Sequence, residues 1–289
     1  MRELLDRDLK RRGRFGLAGV LVLAALLFGA PAAMANAAKS TNWAGYAVHR
    51  NGVSFHQVSA SWTQPTATCV SGQPTYSAVW VGLGGYKPTS DALEQIGTEL
   101  DCGAAGRVIS SAWYELVPAP SKTISLVVRP GDALHASVTV TGHQVVLELE
   151  NLTRHHVFRK TLHAPSIDVS SAEWIVEAPS ECMGQYACQA LPLADFGSVS
   201  FDSATAVTTG GATGSIAGSG WGRTKIRLTP GGQRFIVARG TSDAPAGSAA
   251  PSALGAGGST FDVSYATAPA QPAPGLARDA RARAGYIEH

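Results

Sequence analysis

The chain reads as an all-β protein, an antiparallel sandwich of two packed sheets, and three features predict it. Apolar and polar residues alternate with period two over many short runs, clearest at Leu134 to Thr141 and Gln144 to Asn151 around Gly142-His143, as expected where successive side chains point to opposite faces of a sheet. The 32 Gly and 16 Pro are scattered among Val, Thr, Ser and Trp, which favours short strands closed by turns. After the leader, no stretch keeps a helical period beyond two turns. Strands of this kind bury their apolar faces by packing two sheets together. With 289 residues, 45% apolar and 15% charged, the chain can bury a sizeable core in one domain.

Residues 1–35 read as a secretory signal peptide. Arg2, Arg7, Lys10, Arg11, Arg12 and Arg14 form a basic start, Leu17 to Gly29 an apolar centre and Ala33-Met34-Ala35 a cleavage site, with a second after Ala35-Asn36-Ala37. The Arg11-Arg12 pair is too loose a match for a twin-arginine signal. A retained membrane anchor is the competing reading, but about 13 apolar residues fall short of the roughly 20 that a span needs. The expected product is secreted, with no stable membrane association. Removing six of the 23 Lys and Arg and three of the 21 Asp and Glu leaves 17 against 18. A near-neutral protein offers no basic patch for nucleic acid.

Within the expected domain, 36–267, residues 36–41 form a short polar lead. Asn42 to Val48 and Val53 to Trp62 are strands, with Asn51-Gly52 a hairpin turn between them. Gln64 to Thr75 is a loop, Tyr76 to Leu83 a central strand ending at Gly84-Gly85, and Asp91 to Glu99 the next. Arg107 to Val117 and Ile124 to Val128 follow, the latter closed by Pro130-Gly131-Asp132. The hairpin around Gly142-His143 is extended by Val157 to Leu162, so the formal glycosylation sequon Asn151-Leu152-Thr153 lies at a turn. Ser171 to Glu177 is a strand; Cys182 to Leu193 is an excursion and Asp195 to Phe201 a return strand. A Gly/Thr-rich loop at 208–220 precedes strands at Lys225 to Leu228, Arg234 to Val237 and Phe261 to Tyr265, with a low-complexity insert near 244–258. Residues 268–289 read as a disordered tail.

Four cysteines in an exported chain imply two disulfides, with three possible connectivities. Cys182 and Cys188 are close enough to close a small loop, leaving Cys69 with Cys102. A zinc site would need paired C-x-x-C spacing and nearby His, which are absent. No G-x-S-x-G elbow or H-E-x-x-H helix is present. His155 and His156, adjacent on a strand, would face opposite ways, so no metal is expected.

Strand parity groups the remaining polar residues. Glu173, Ile175 and Glu177 share one face of their strand, Gln95 shares a face with Glu99, and Trp113 with Glu115. A carboxylate beside a water can act as general base, and an amide NH₂ can stabilise an oxyanion. The competing fate of Glu173 and Glu177 is a solvent-facing position on an outer sheet face.

Eight short motifs occur in order: Asn42-Trp43-Ala44-Gly45, Trp80-Val81-Gly82, Gln95-Ile96-Gly97, Trp113-Tyr114-Glu115, Gly131-Asp132, Glu150 to Thr153, Ala172 to Glu177 and Ala194-Asp195-Phe196. In this the chain resembles the glutamic peptidases, or eqolisins, well over residues 40–205 and loosely beyond. The resemblance implies a two-sheet sandwich of the concanavalin A-like, jelly-roll type and a secreted, pepstatin-insensitive endopeptidase acting in acid on polypeptides. It would be a monomer and need no cofactor. The resemblance assigns catalysis to Gln95 and Glu177: Glu177 takes a proton from the attacking water and later protonates the leaving amine, while Gln95 holds the water and the oxyanion. Trp43 and Trp80 would wall the substrate groove, Trp113 and Glu115 would support the site, and Glu173 would be a neighbour.

The chain departs from the fungal pattern, which has Asp where Gly84, Ser111 and Ala178 stand here, and Asp in place of Glu99. Fewer acids near Glu177 should raise its pKa less, and activity is expected in mild rather than strong acid. The alternative is a non-catalytic, lectin-like sandwich that stacks sugars or peptides on the same aromatic groove.

Overall fold

The computed structural model describes residues 36–183, 187–229, 241–242 and 247–266. The expected signal peptide, the strand at Arg234 to Val237, the C-terminal tail and the side chains of Cys182 and Cys188 lie outside the described residues.

Every regular element described is a strand: β1 (Asn36–Ser40), β2 (Trp43–His49), β3 (Phe55–Thr63), β4 (Thr75–Gly84), β5 (Leu93–Cys102), β6 (Val108–Val117), β7 (Lys122–Ile124), β8 (Ala133–Thr141), β9 (Gln144–Asn151), β10 (His156–His163), β11 (Ser171–Glu177), β12 (Ser180–Met183), β13 (Ala187–Ala190), β14 (Ser198–Thr208), β15 (Thr213–Ser215), β16 (Gly222–Leu228), β17 (Thr241–Ser242), β18 (Ser248–Pro251) and β19 (Phe261–Ala266). The all-β expectation holds among the described residues. Two separate sheets do not form. Sixteen strands join in one sheet in the order β10-β9-β8-β3-β14-β19-β18-β16-β2-β11-β4-β5-β6-β7, with β1 beside β16 and β15 beside β14. The two layers are its halves, joined where Leu228 of β16 pairs with Ala249 of β18. Joining there removes two edges that would otherwise expose unpaired backbone groups. The result is a sandwich close to a barrel.

Within this sheet only β1 departs from antiparallel pairing, lying parallel to β16. It occupies the stretch expected as a polar lead. Adding backbone to a sheet edge needs no apolar alternation, so no side-chain pattern announced it. Gly52 does turn the chain with φ 76°, but β2 and β3 fall in different layers and do not pair. The expected strand to Val128 stops at Ile124; Leu126 and Val128 are nonetheless buried, and their alternation records burial rather than pairing. The low-complexity insert contains β18, whose small Ala249 packs in the core.

The layers meet over a core that includes Tyr46, Val58, Trp62, Val79, Val81, Ile96, Leu134, Leu147 and Trp174. Two indoles tie them further. Trp174 Nε1 donates to Ser59 O at 2.9 Å, and Trp62 Nε1 to Thr98 Oγ1 at 3.3 Å, satisfying the polar atoms of large buried rings. The Cys69–Cys102 disulfide forms as expected and fastens the loop before β4 to the end of β5. In the small separate sheet, the backbone register sets Cys182 opposite Cys188. The sequon sits at the expected turn, but Asn151 is fully buried and donates to Asp132 Oδ2 at 2.8 Å and Val127 O at 3.0 Å. It is unavailable for glycosylation.

Candidate active site

The outward face of the β2-β11-β4-β5-β6 layer gathers every residue expected to form the site. Strand register sorts them into three cross-strand rows: Ala47, Glu173, Gly82, Gln95, Glu115; then Gly45, Ile175, Trp80, Gly97, Trp113; then Trp43, Glu177, Ala78, Glu99, Ser111. Because side chains alternate along a strand, these rows share one face. Gln95 and Glu177 are therefore on the same side of one sheet. They lie on a diagonal across β4, no hydrogen bond joins them, and each is held by a different neighbour.

This face is not an ordinary solvated sheet surface. Trp43, Trp80 and Trp113 are buried and form a second apolar cluster with Ala47, Ala78, Leu93, Ile175 and Ile226. Trp43 meets Trp80 edge to face, with ring centroids 5.0 Å apart. Small residues beside the indoles make room for them. A Cβ on Gly97 would lie 2.2 Å from Val79 O and 2.6 Å from Trp80 Cβ, so glycine is required there. With Trp43 and Trp80 at 0% exposure, their rings are held walls and not open platforms for stacking a ligand.

Glu177 ends β11 partly open to solvent. Its Oε2 accepts from Trp80 Nε1 at 2.8 Å and its Oε1 from Asn42 Nδ2 at 3.3 Å. Burial of the carboxylate raises its pKa to about 7, helped by the charge of Glu115, while Trp80, Asn42 and Trp43 pull the other way. Desolvation is thus the main cause of the raised value, with the one neighbouring acid, Glu115, adding to it.

Gln95 Nε2 donates to Glu115 Oε2 at 2.7 Å. Its Oε1 is buried and has no hydrogen-bond partner. One amide hydrogen is thus committed to Glu115 and the second remains available. Burial also raises Glu115 to about 7, against the bond from Gln95. Glu99 accepts from Ser111 Oγ at 2.6 Å; this short pair occupies the end of the third row, away from Gln95. Glu173 is fully buried rather than solvent-facing. Burial, with Asp168 and Glu94 adding charge, lifts its pKa well above the usual range, against the pull of Ser171.

Three residues of this region escaped the sequence reading. Asn42, whose amide reaches Glu177, was visible only as part of a motif. Glu94 is buried with Oε2 unpartnered and has its pKa raised to about 8, chiefly by desolvation. Asp168, on the loop before β11, accepts from Ser90 Oγ, Gly85 N and Ser170 N. A Cβ on Gly84 would meet Asp168 Cβ at 2.7 Å and Cγ at 3.0 Å. The acid missing at position 84 is thus supplied in space by Asp168, a substitution that only long-range folding reveals.

No group of three His, Cys, Asp or Glu among the described residues is placed to hold a metal ion. The face can position a water against Glu177 and offer an amide hydrogen from Gln95.

Comparison with known proteins bears on this geometry. The family model described as the Peptidase A4 family matches residues 41–242. Aspergillopepsin-2 of Aspergillus niger is 28% identical over 198 residues, covering 60% of this chain and 66% of that protein, so the match spans just under two thirds of that relative. The crystal structure of scytalido-glutamic peptidase with a transition state analog inhibitor superposes with a TM-score of 0.61 at 26% identity, covering 78% of this chain and 98% of that one. Aspergilloglutamic peptidase from Aspergillus niger gives 0.50 at 25% identity, over 66% and 99%.

Proposed function

Given that this chain belongs to the Peptidase A4 family, that of the glutamic peptidases, we propose that it is a secreted, monomeric endopeptidase in which Gln95 and Glu177 act as a pair on polypeptide substrates. Its sandwich would be of the concanavalin A-like, jelly-roll type. The observation that carries the reading is that the two side chains, distant in sequence, stand on one face of one sheet with a partly solvent-open carboxylate between indole walls. In this reading the scissile peptide and one water lie along their diagonal.

Glu177, as the carboxylate, takes a proton from that water as its oxygen bonds to the scissile carbonyl carbon. The uncommitted hydrogen of Gln95 Nε2 stabilises the oxyanion that develops. Glu177 then returns the proton to the nitrogen as the C–N bond breaks, leaving an amine and a carboxylic acid. Trp80 and Asn42 hold Glu177 in place, and Glu115 orients the Gln95 amide. Only side chains and water take part.

The base must be ionised in the free enzyme. A Glu177 pKa of about 7 puts the rise of kcat/KM in the mildly acidic to neutral range and leaves strong acid unfavourable. Glu115 titrates nearby, so the limb reports the pair rather than one residue.

The test is cleavage of a denatured protein from pH 4 to pH 8 with and without pepstatin. Wild type should cut in the presence of pepstatin, and Gln95→Ala and Glu177→Gln should not. Full activity in either variant would remove the proposal. The lectin-like alternative has no support from the indoles, which are enclosed.

A further inference from the structure

The sheet does not close on itself. Its terminal strands, β7 and β10, each have a neighbour on one side only among the described residues, so both offer unpaired backbone N–H and C=O groups along an open seam. Between them, on the side of β6 opposite Trp113 and Glu115, lies a cleft of about 730 Å³ whose walls include Tyr114, Lys122, Ile124, Leu126, Phe158 and Lys160. A smaller hollow of about 380 Å³ continues it along residues 124–128.

The cleft has an aromatic floor and charge of one sign. Tyr114 stacks on Phe158 with centroids 6.0 Å apart, and Lys160 Nζ stands 5.5 Å over the Tyr114 ring. No acidic residue lines the cleft. Neither Lys122 nor Lys160 has an ion-pair partner among the described residues, whereas Arg159, on the same strand, is bound to Glu148. Val157 and Val127 on the borders are 56% and 53% exposed, an apolar rim that a soluble protein ordinarily covers or uses.

We infer that this seam is a docking site for an acidic polypeptide segment, which adds as an extended strand to the free edge of β10. The eight residues of β10 make it the longer of the two edges. Backbone pairing supplies sequence-independent affinity, and alternate side chains supply selection. Phe158 and Lys160 share one face of β10 and Tyr114 pairs with Lys122, so every second side chain of the segment would enter the cleft, these inward positions supplying apolar groups for Tyr114 and Phe158 and carboxylates for Lys122 and Lys160. The inference does not rest on the peptidase reading. If both hold, the segment belongs to a substrate cleaved on the other face.

Binding is tested on full-length protein carrying Glu177→Gln, which blocks turnover, with a fluorescein-labelled octapeptide of two Val-Ser-Glu-Ser repeats, which sets Val and Glu on one face of a strand, followed by anisotropy at low salt. Saturable binding is expected, weakened at least tenfold by Lys122→Glu with Lys160→Glu while the circular dichroism melt is unchanged. Methylating alternate peptide nitrogens should weaken binding tenfold in one register and little in the other; this variation lies in the ligand and cannot unfold the protein. Equal binding of the same peptide with Lys in place of each Glu, indifference to both methylation registers, or equal competition by a short polyphosphate would overturn the inference. So would a concentration-dependent dimer abolished by the same lysine substitutions, since a second copy would then be the occupant.

Discussion

Replacing Glu94 by glutamine isolates the energetic cost of a buried acid near the site. Glu94 is 1% exposed, one oxygen has no partner, and its pKa rises from 4.5 to about 8, first through desolvation and then through the charge of Asp168. A folded-state pKa above the unfolded one means that the folded protein binds the proton more tightly. The associated stability is complete below pH 4.5 and is lost as pH rises through 8. The 3.5-unit interval corresponds to about 5 kcal/mol at 1.36 kcal/mol per unit, of which roughly 3 to 4 kcal/mol falls between pH 5 and pH 8. Glutamine keeps the shape and removes the titration. Urea unfolding at both pH values should find the variant within about 1 kcal/mol of wild type at pH 5 and several kcal/mol more stable at pH 8, a large share of the ~5–15 kcal/mol typical of a domain. Glu173 shifts in the same direction, so the variant keeps a shallower slope of its own. Parallel pH dependence in the two proteins would refute the reasoning.

Other perturbations probe the site and its scaffold. Trp80→Phe removes the indole donor 2.8 Å from Glu177 Oε2; losing a hydrogen bond to a charge, worth about 1.5–3 kcal/mol, should move the acid limb of kcat/KM up by about 1 to 2 pH units, and a slower enzyme with an unmoved limb would contradict it. Gly97→Ala forces a Cβ to within 2.2 Å of Val79 O, and denaturant titration should show a loss of about 3 kcal/mol. Replacing Cys69 and Cys102 by alanine opens a loop with a sequence separation of 33, for which the chain-entropy relation gives roughly 3 to 4 kcal/mol; an unchanged melting temperature would show that the loop is held by its packing alone.

What could be read in advance was what is local in a strand. Parity along β5, β6 and β11 placed Gln95 with Glu99, Trp113 with Glu115 and Glu173 with Glu177, and the structure keeps each pair on one face. Register between strands is not local. That Gln95 would share its row with Glu173, and Glu177 its row with Glu99, depends on pairings across tens of residues that no motif contains. The same holds for Asp168 over Gly84. Alternation also misled where burial is two-sided: β2, β4 and β11 bury both faces because the indoles cover the outer one, so Glu173 is a buried acid and not a surface carboxylate. The strands expected and missed follow the same physics. β1 pairs by backbone alone, and residues 125–128 alternate without pairing.

The central claim is that an amide and an acid serve one water as a unit, and a double-mutant cycle on kcat/KM addresses it most directly. Gln95→Ala should cost about 10²- to 10³-fold, the scale of a lost oxyanion donor, and Glu177→Gln more. If the two act together, the double variant will be no slower than Glu177→Gln alone. Losses that multiply would mean that the residues contribute independently, contrary to this account.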